Sequence, residues 1–162
     1  MAIIKTANTT GKYHDLCSYN DIITYITQPN KTIHRYIGYI NIDPYNPSGS
    51  MEAIAKKFHK EHGVHVRHFI IAFNPDELTQ PEVANEIGAK VISYLGQRFQ
   101  AVYAVHEDEP QLHIHIVINA VCYLDGSKYR GTHKIFNRFV YAVRRILKEY
   151  RITNFTYVSN KP

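Results

Sequence analysis

The sequence contains little cysteine. Its 162 residues include two, Cys17 and Cys122, and neither belongs to a CxxC pair or to a regularly spaced set. Secreted scaffolds held together by disulfide bonds need several cysteines at characteristic spacings, so nothing in the sequence suggests that class of protein. We expect a reducing compartment, and therefore a cytoplasmic protein.

Long apolar runs, repeats and low-complexity tracts are absent as well. The N-terminal segment MAIIKTANTTGKYHD has too short an apolar run for a signal peptide. No segment approaches the roughly 20 apolar residues of a membrane span. No obvious linker divides the chain, and its length is typical of one domain. The sequence therefore predicts a single soluble domain over residues 1–162.

Hydrophobic periodicity predicts strands that alternate with helices. The expected strands are Ala2–Lys5, Arg35–Ile42, Val64–Phe73, Ala101–His106 and Leu112–Ala120. The expected helices are Ser18–Thr27 capped by Ser18, Met51–His62 capped by Ser50, Pro81–Phe99 and His133–Tyr150. The last two strands are joined too tightly for a crossover, so they must be antiparallel. We predict an α+β fold in which a central antiparallel or mixed β-sheet has helices packed on one face and a site on the other.

Three histidines are the most informative feature of the chain. They lie in the segment HEDEPQLHIHIVINAV, which begins at His106 and contains His113 and His115. Strict alternation of apolar and polar residues places His113 and His115 on the same face of a strand. If the turn Glu107–Gln111 is symmetric, His106 lies opposite His113, and Ala104 lies opposite His115. All three imidazoles then point to one face of the sheet.

This arrangement predicts a metal site. A single histidine on a strand is usually structural, but three on one face are harder to explain in that way. Neutral imidazole is the commonest metal ligand in proteins, and a two-strand platform fixes ligand positions well. Three histidines suit Zn²⁺ with an open fourth position, and they also suit Mn²⁺ or another divalent ion. The residues alone do not identify the metal.

Basic residues are concentrated near the C-terminus. The formal net charge is +5, and between residues 128 and 151 the only acid is Glu149. The cations of this segment are Lys128, Arg130, Lys134, Arg138, Arg144, Arg145, Lys148 and Arg151. A basic helix face is often merely solvated, but Lys and Arg also bind phosphate backbones, and aromatic rings stack on bases. The segment is therefore a candidate surface for nucleic acid.

Two motifs resemble those of the relaxase/mobilisation nuclease family, which belongs to the HUH endonucleases. HEDEPQLHIHIVINAV is similar to the family's histidine motif, in which a His followed by acidic residues precedes an HxH and a downstream Asn. SYNDIITYITQPNKT resembles the first motif, a helix that ends in a Tyr-Ile pair before a Pro and a Lys-Thr. The segment between the two motifs also resembles the family, but more weakly. The resemblance covers nearly the whole chain and implies an HUH-endonuclease fold, which is RRM-like.

The resemblance implies an enzyme that nicks one strand of DNA at the transfer origin of a plasmid or conjugative element. Tyr25 falls on the nucleophile of the first motif, which would form a 5′-phosphotyrosine link and leave a free 3′-hydroxyl. The partners implied are single-stranded origin DNA and accessory mobilisation proteins.

The resemblance also assigns roles to other residues. The three histidines would hold a divalent ion, with Mg²⁺ or Mn²⁺ favoured and Zn²⁺ a further candidate, and Asp108 would orient the site. Apart from the resemblance, the basic residues expected to bind DNA are Lys31, Lys128, Arg130, Lys134, Arg138, Arg144 and Arg145.

Alternative interpretations remain for the nucleophile. Tyr25 could belong with Ile22, Ile23 and Ile26 to one buried helix face. Tyr19 competes as a nucleophile or as a residue that stacks on a base. His68, on the third expected strand, could border the site but is more simply structural.

Alternative functions remain as well. One is a rolling-circle replication initiator with the same chemistry, and another is a non-catalytic DNA-binding module stabilised by a metal. A zinc hydrolase acting on a small substrate is disfavoured, because no HExxH or cytidine-deaminase pattern accompanies the histidines.

Overall fold

The hairpin that carries the three histidines forms the middle of a β-sheet. The structure, a computed structural model, describes residues 1–9 and 11–159. Its strands are β1 (Ala2–Thr6), β2 (Ile37–Ile40), β3 (Val66–Ala72), β4 (Ala101–His106), β5 (His113–Asn119) and β6 (Phe155–Val158). Its α-helices are α1 (Cys17–Ile26), α2 (Pro47–Lys57), α3 (Pro81–Leu95) and α4 (His133–Glu149), and a short 3-10 helix spans His34–Tyr36.

The strand order across the sheet is β2-β4-β5-β3-β1-β6. All neighbours are antiparallel except β1 and β6, which are parallel. The predicted α+β class with a mixed sheet is confirmed. Strand β6 was not expected from the sequence, and it lies at the edge of the sheet, where it pairs with β1.

One face of the sheet carries the larger apolar core. The isoleucines of β5 point to this face, where α3 and α4 cover them. The fully buried residues that meet there include Ile71, Ile87, Val91, Ile114, Ile116, Ile118 and Val143. Burying one such side chain stabilises a fold by about 1.5–3 kcal/mol relative to leaving it exposed. The packing of α3 and α4 on this face therefore stabilises the position of the hairpin.

Helices α1 and α2 pack on the opposite face, so the helices lie on both faces of the sheet and not on one as expected. Tyr19 and Ile26 of α1 and Met51 of α2 belong to a second buried cluster with Val102 and Val117 of the hairpin. The physical reason is that the apolar stripe of α1 must be buried, and α3 and α4 already fill the first face. The histidines point to this second face, beside the C-terminal end of α1.

Two helix starts differ from the expected ones. The carboxylate of Asp15 accepts the main-chain N–H of Ser18 at 3.1 Å, so Asp15 and not Ser18 supplies the capping oxygen of α1. Helix α2 begins at Pro47, because the side chain of Asn46 accepts the N–H of Gly49 at 3.2 Å and caps it there. Proline suits the first helical position, since its ring fixes φ and an N–H at this position would have no partner within the helix.

Within residues 1–9 and 11–159, none of the helices has the length and apolar character that crossing a bilayer requires.

Candidate functional site

The β4–β5 hairpin brings the three histidines together. Its register pairs His106 with His113 and Ala104 with His115, as the symmetric turn predicts. One ligand atom from each of the three imidazoles lies within 4.8 Å of the other two. The ring centroids of His106 and His115 are 4.1 Å apart, and that of His113 lies 5.0 and 5.1 Å from them. The strands thus form a three-nitrogen cluster.

A main-chain carbonyl of α1 sets the orientation of His106. The last carbonyls of a helix have no partner within it, and the carbonyl of Ile26 at the end of α1 accepts a hydrogen bond from Nε2 of His106 at 2.8 Å. A carbonyl oxygen can only accept, so Nε2 carries the proton and Nδ1 of the neutral ring keeps a lone pair. Nδ1 is buried and has no hydrogen-bond partner among the described residues.

The same reasoning applies to His113. Its Nδ1 lies 3.0 Å from the carbonyl oxygen of Gln111, which again only accepts. Nε2 of the neutral ring therefore keeps its lone pair. Main-chain carbonyls thus fix the protons of two of the three imidazoles, so that each keeps one nitrogen lone pair for a metal. For His106 this nitrogen is the buried Nδ1, and a bound cation would be its partner. The donor set fits a divalent ion bound by three nitrogens, with further positions open.

Burial favours the neutral form of two imidazoles of this cluster, those of His106 and His115. It lowers the pKa of His106 and His115 below the ordinary value, and neighbouring imidazoles lower the pKa of His115 further. The pKa of His68, which is buried beside them, falls to about 3 for the same reason. Since only a neutral imidazole can ligate a metal, the low pKa values favour binding at neutral pH.

These low pKa values predict a stability that falls with acid. Below pH 6.5 the unfolded chain binds protons at His68, His106 and His115 that the folded chain does not bind, so the free energy of unfolding decreases as the pH falls from 7 to 5. Each group contributes at most about 1.4 kcal/mol per pH unit. Urea denaturation of chelated protein at three pH values measures the slope, and the exposed His14→Gln variant should share it. A slope near zero in the wild type would contradict this account.

Tyr25 lies beside the histidine cluster. Ile22, Ile23 and Ile26 of α1 are buried, but the Tyr25 side chain points outward and is 42% exposed. Its ring centroid lies 5.8 Å from that of His115 and 6.2 Å from that of His106. The interpretation of Tyr25 as a core residue is therefore wrong, and its phenol is open to a ligand at the cluster.

Tyr19 occupies a different environment. Its side chain is 1% exposed, and its hydroxyl donates a hydrogen bond to Oδ1 of Asn119 at 3.0 Å. Burial raises the pKa of the Tyr19 phenol. Asn119 also bonds the main chain of Met51 and the side chain of Gln100, so Tyr19 belongs to a buried polar network that ties α1 and α2 to the hairpin.

Asp108 and Lys31 form an ion pair at the edge of the cluster. Nζ of Lys31 lies 2.8 Å from Oδ2 of Asp108 and 5.4 Å from the ring centroid of Tyr25. The hydrogen bond from Lys31 lowers the pKa of the Asp108 carboxyl. The other carboxylate oxygen lies 4.0 Å from Nδ1 of His106, which is too long for a hydrogen bond. Asp108 thus contacts Lys31 directly and His106 only electrostatically.

The basic segment lies away from this cluster. Helix α4 packs on the isoleucine face of the sheet, so its exposed cations Lys134, Arg138, Arg144 and Arg145 lie on the other side from the histidines. A groove of about 1140 Å³ between α3 and α4 is lined by three of these cations and by two tyrosines. Nζ of Lys128 donates to the main-chain carbonyls of His62 and Val64 at 3.0 and 2.6 Å.

His68 is a site residue whose role the sequence did not predict. Its Nε2 lies 2.8 Å from Nδ1 of His115, and its Nδ1 lies 3.1 Å from the hydroxyl of Tyr13. The β3–β5 register produces this contact by pairing His115 with Ile70, two residues from His68. The alternation of β3 places His68 and Ile70 on one face, but the register that brings them to His115 depends on tertiary pairing.

A cavity opens beside these residues. It has a volume of about 360 Å³ and lies between the start of the chain, α1 and the sheet. Its walls include Tyr13, Tyr25, His68 and His115. The exposed phenol of Tyr25 and His115 of the cluster therefore line one solvent-accessible recess.

A family model matches the part of the chain that carries the histidine cluster. The model of the family described as "Relaxase: MobA/VirD2-like, nuclease domain" matches residues 25–152, which include the whole hairpin and begin at Tyr25.

Curated relatives carry similar names. Protein rlx of Staphylococcus aureus is 30% identical over 95 residues, which is 59% of this chain and 30% of that protein. Another Staphylococcus aureus protein of this name is 36% identical over 72 residues, or 44% of this chain and 22% of the relative. The group II intron-interrupted relaxase LtrB of Lactococcus lactis is 29% identical over 90 residues, covering 55% of this chain and 16% of that protein. The chain thus spans less than a third of the length of these relatives. Since the family match covers most of the sequence, the chain belongs to the MobA/VirD2-like relaxase nuclease-domain family.

Proposed function

We propose that the chain is the nuclease domain of a relaxase, spanning residues 1–162, which nicks one strand of DNA at a transfer origin. The observation that carries this proposal is the position of the exposed Tyr25 phenol next to three convergent histidine nitrogens. A nucleophile beside a cluster able to hold a cation is the pairing that transesterification of a phosphodiester needs. The family of the chain supports this function.

In the proposed reaction Tyr25 attacks the scissile phosphate. The phenolic oxygen forms a bond to phosphorus and gives up its proton, and the bond from phosphorus to the 3′-oxygen breaks. The leaving 3′-oxygen takes up a proton, so no proton is gained or lost overall. The products are a 5′-phosphotyrosine and a strand with a free 3′-hydroxyl, and the reverse reaction rejoins the strand. A covalent link keeps the energy of the phosphodiester, so religation needs no other source of energy.

His106, His113 and His115 would hold the divalent ion. When bound, such an ion polarises the phosphate and offsets negative charge in the transition state. The protein contributes the fixed orientation of the imidazoles, through the carbonyls of Ile26 and Gln111. Because Ile26 follows Tyr25 directly, the end of α1 positions the nucleophile and one ligand together.

Lys31 and Asp108 support the same site in this proposal. The ammonium of Lys31 lies 5.4 Å from the centroid of the Tyr25 ring, where it would attract a DNA phosphate that approaches the phenol. Asp108 holds Lys31 in place through their 2.8 Å ion pair. Asp108 therefore acts by positioning Lys31, and its carboxylate adds negative charge near the ligand His106.

We propose that the basic surface of α4 binds DNA outside the cleavage site. Its cations lie on the opposite face of the sheet, so they would contact flanking DNA. Replacing Lys134, Arg138 and Arg145 by Gln should weaken binding and reduce the slope of log affinity against log salt by about 2 if each contacts a phosphate of a single strand.

Fluorescence anisotropy at several salt concentrations measures this slope. Nicking of a short oligonucleotide at saturating concentration should not change, because these residues lie away from Tyr25. A Lys56→Gln/Arg98→Gln variant is the control, since both cations are already paired with carboxylates. An unchanged slope in the triple variant would show that the basic face is only solvated.

The proposed function is tested by incubating the protein with labelled single-stranded oligonucleotides from transfer origins and Mn²⁺ or Mg²⁺. We expect a protein-linked band on a denaturing gel. Cleavage of replication origins alone would indicate a rolling-circle initiator instead. Binding without any nick in the presence of each divalent ion would indicate a non-catalytic module.

A further inference from the structure

His115, the third histidine of the cluster, differs from the other two in the group that its Nδ1 contacts. Main-chain carbonyls hold His106 and His113, but Nδ1 of His115 faces Nε2 of His68 at 2.8 Å. A ring nitrogen either donates or accepts, so this contact does not by itself decide where the proton lies. Nδ1 of His68 faces the hydroxyl of Tyr13 at 3.1 Å, and a hydroxyl also does both. The three side chains form one buried hydrogen-bonded chain.

The hydrogen bonds that link Tyr13, His68 and His115 can have their protons in two arrangements, and both contain the same number of protons. In the first, Nδ1–H of His115 donates to His68, and Nδ1–H of His68 donates to Tyr13, which leaves a lone pair on Nε2 of His115. In the second, Tyr13 donates to His68, and Nε2–H of His68 donates to His115, whose Nε2 then carries a proton. Only the first arrangement allows His115 to ligate a metal through Nε2.

The surrounding backbone holds His68 and Tyr13 in position. The side chain of Asn8 accepts the main-chain N–H of His68 at 2.8 Å and donates to the carbonyl of Val66 at 3.0 Å. Tyr13 has a left-handed backbone with φ of +64°, which a bulky residue rarely adopts. Its carbonyl accepts the N–H of His65 at 2.8 Å. The fold thus maintains a strained conformation that directs the Tyr13 hydroxyl at His68.

We propose that His68 is a positioning residue for the metal site, and that Tyr13 supports it. Nε2 of His68 accepts a hydrogen bond from Nδ1–H of His115, and this contact leaves the Nε2 lone pair of His115 free for the ion. This inference rests on the proposed function, because it requires that the histidine cluster binds a divalent ion. It adds two residues to the site that act through His115.

The test measures metal affinity directly, by calorimetric titration of the protein with Mn²⁺. Loss of an outer partner of a ligating histidine typically lowers affinity 10–100-fold, and we expect a loss of about this size in His68→Leu. His68→Gln should recover part of it, because its amide can accept from His115 and donate to Tyr13. Tyr13→Phe should lower the affinity less than His68→Leu, since the contact between the two histidines survives.

His65→Leu is the matched control. His65 is also fully buried, and neither of its ring nitrogens has a hydrogen-bond partner among the described residues. This variant removes a buried imidazole next to β3 but leaves the hydrogen-bonded chain intact, so its affinity should equal that of the wild type. Equal losses in His65→Leu and His68→Leu would overturn the inference, because they would reflect damage to the fold.

A spectroscopic test uses the wild type alone and does not depend on the folding of any variant. In Zn²⁺-loaded protein with ¹⁵N-labelled histidine, NMR should show the proton of His68 on Nδ1 and an unprotonated Nε2. A proton on Nε2 of His68 would overturn the inference. If the wild type binds ions but His68→Leu binds them equally well, the positioning role is wrong and the proposed site stands. If the wild type binds no divalent ion, the proposed function itself fails.

Discussion

Tyr25→Phe should abolish the covalent link between the protein and DNA. Phenylalanine keeps the ring but removes the only oxygen that the proposed reaction joins to phosphorus. Since Tyr25 is 42% exposed, the substitution should not change the free energy of unfolding appreciably. We expect adduct formation on single-stranded origin DNA to fall by more than about 10³-fold, as is typical when a nucleophile is removed. Denaturing gels of time courses with labelled oligonucleotide measure the rate.

Two other tyrosines provide matched controls for this variant. Tyr45 is 96% exposed, and Tyr45→Phe should keep full activity. Tyr19→Phe loses the hydrogen bond to Asn119, so it should lose about 1 kcal/mol of stability but still form the adduct. A band that persists in Tyr25→Phe and disappears in Tyr19→Phe would show that the nucleophile was assigned to the wrong tyrosine.

Removal of one histidine of the cluster should have the second largest effect. His115→Ala leaves two nitrogens of three and also removes the partner of His68. We expect the affinity for Mn²⁺ to fall by more than about 100-fold, which exceeds the usual effect of losing an outer partner. Nicking should then require much higher ion concentrations. Chelation of the wild type should stop nicking, and addition of Mn²⁺ should restore it.

Thermal unfolding gives a measure of this effect that is independent of activity. An ion at 100 times its dissociation constant stabilises the folded state by about 2.7 kcal/mol. The corresponding rise in Tm for a protein of this size is about 5–10 °C, and His115→Ala should not show it. The exposed His14→Ala variant is the control and should respond like the wild type. If Mn²⁺ raises the Tm of His115→Ala as much as that of the wild type, the ion binds elsewhere.

Much of the site could be predicted because it depends on local geometry. Side chains alternate along any strand, so the HxH spacing places His113 and His115 on one face in every possible fold that makes this segment a strand. A short turn also fixes the register of a hairpin, which is why the opposition of His106 to His113 could be predicted and is observed. Strand β4 has the predicted boundaries for the same reason.

The contacts of α1 could not be predicted in this way. The sequence leaves open whether Tyr25 is buried with its isoleucine neighbours, because both environments fit the same helical periodicity. The answer depends on how α1 is rotated against the hairpin. That rotation buries Ile22 and Ile26, exposes Tyr25, and brings the carbonyl of Ile26 to His106.

For the basic segment, the sequence predicts the charge but not where the segment lies. Its charge pattern is evident in the sequence, but charge alone does not indicate the face of the sheet on which a helix packs. Helix α4 follows its apolar stripe to the isoleucine face, which separates its cations from the histidines. By contrast Lys31, a single cation next to a proline-containing turn, lies at the site and pairs with Asp108.

The α+β class, the hairpin and the histidine cluster could be predicted from the residues alone, since they follow from side-chain alternation and a short turn. The folded structure was needed to show which tyrosine faces the cluster, which carbonyls orient the imidazoles, and that His68 contacts His115. These features depend on the rotation of a helix and on the register between strands far apart in the chain. Both are set by the packing of whole elements, and no local pattern of residues encodes them.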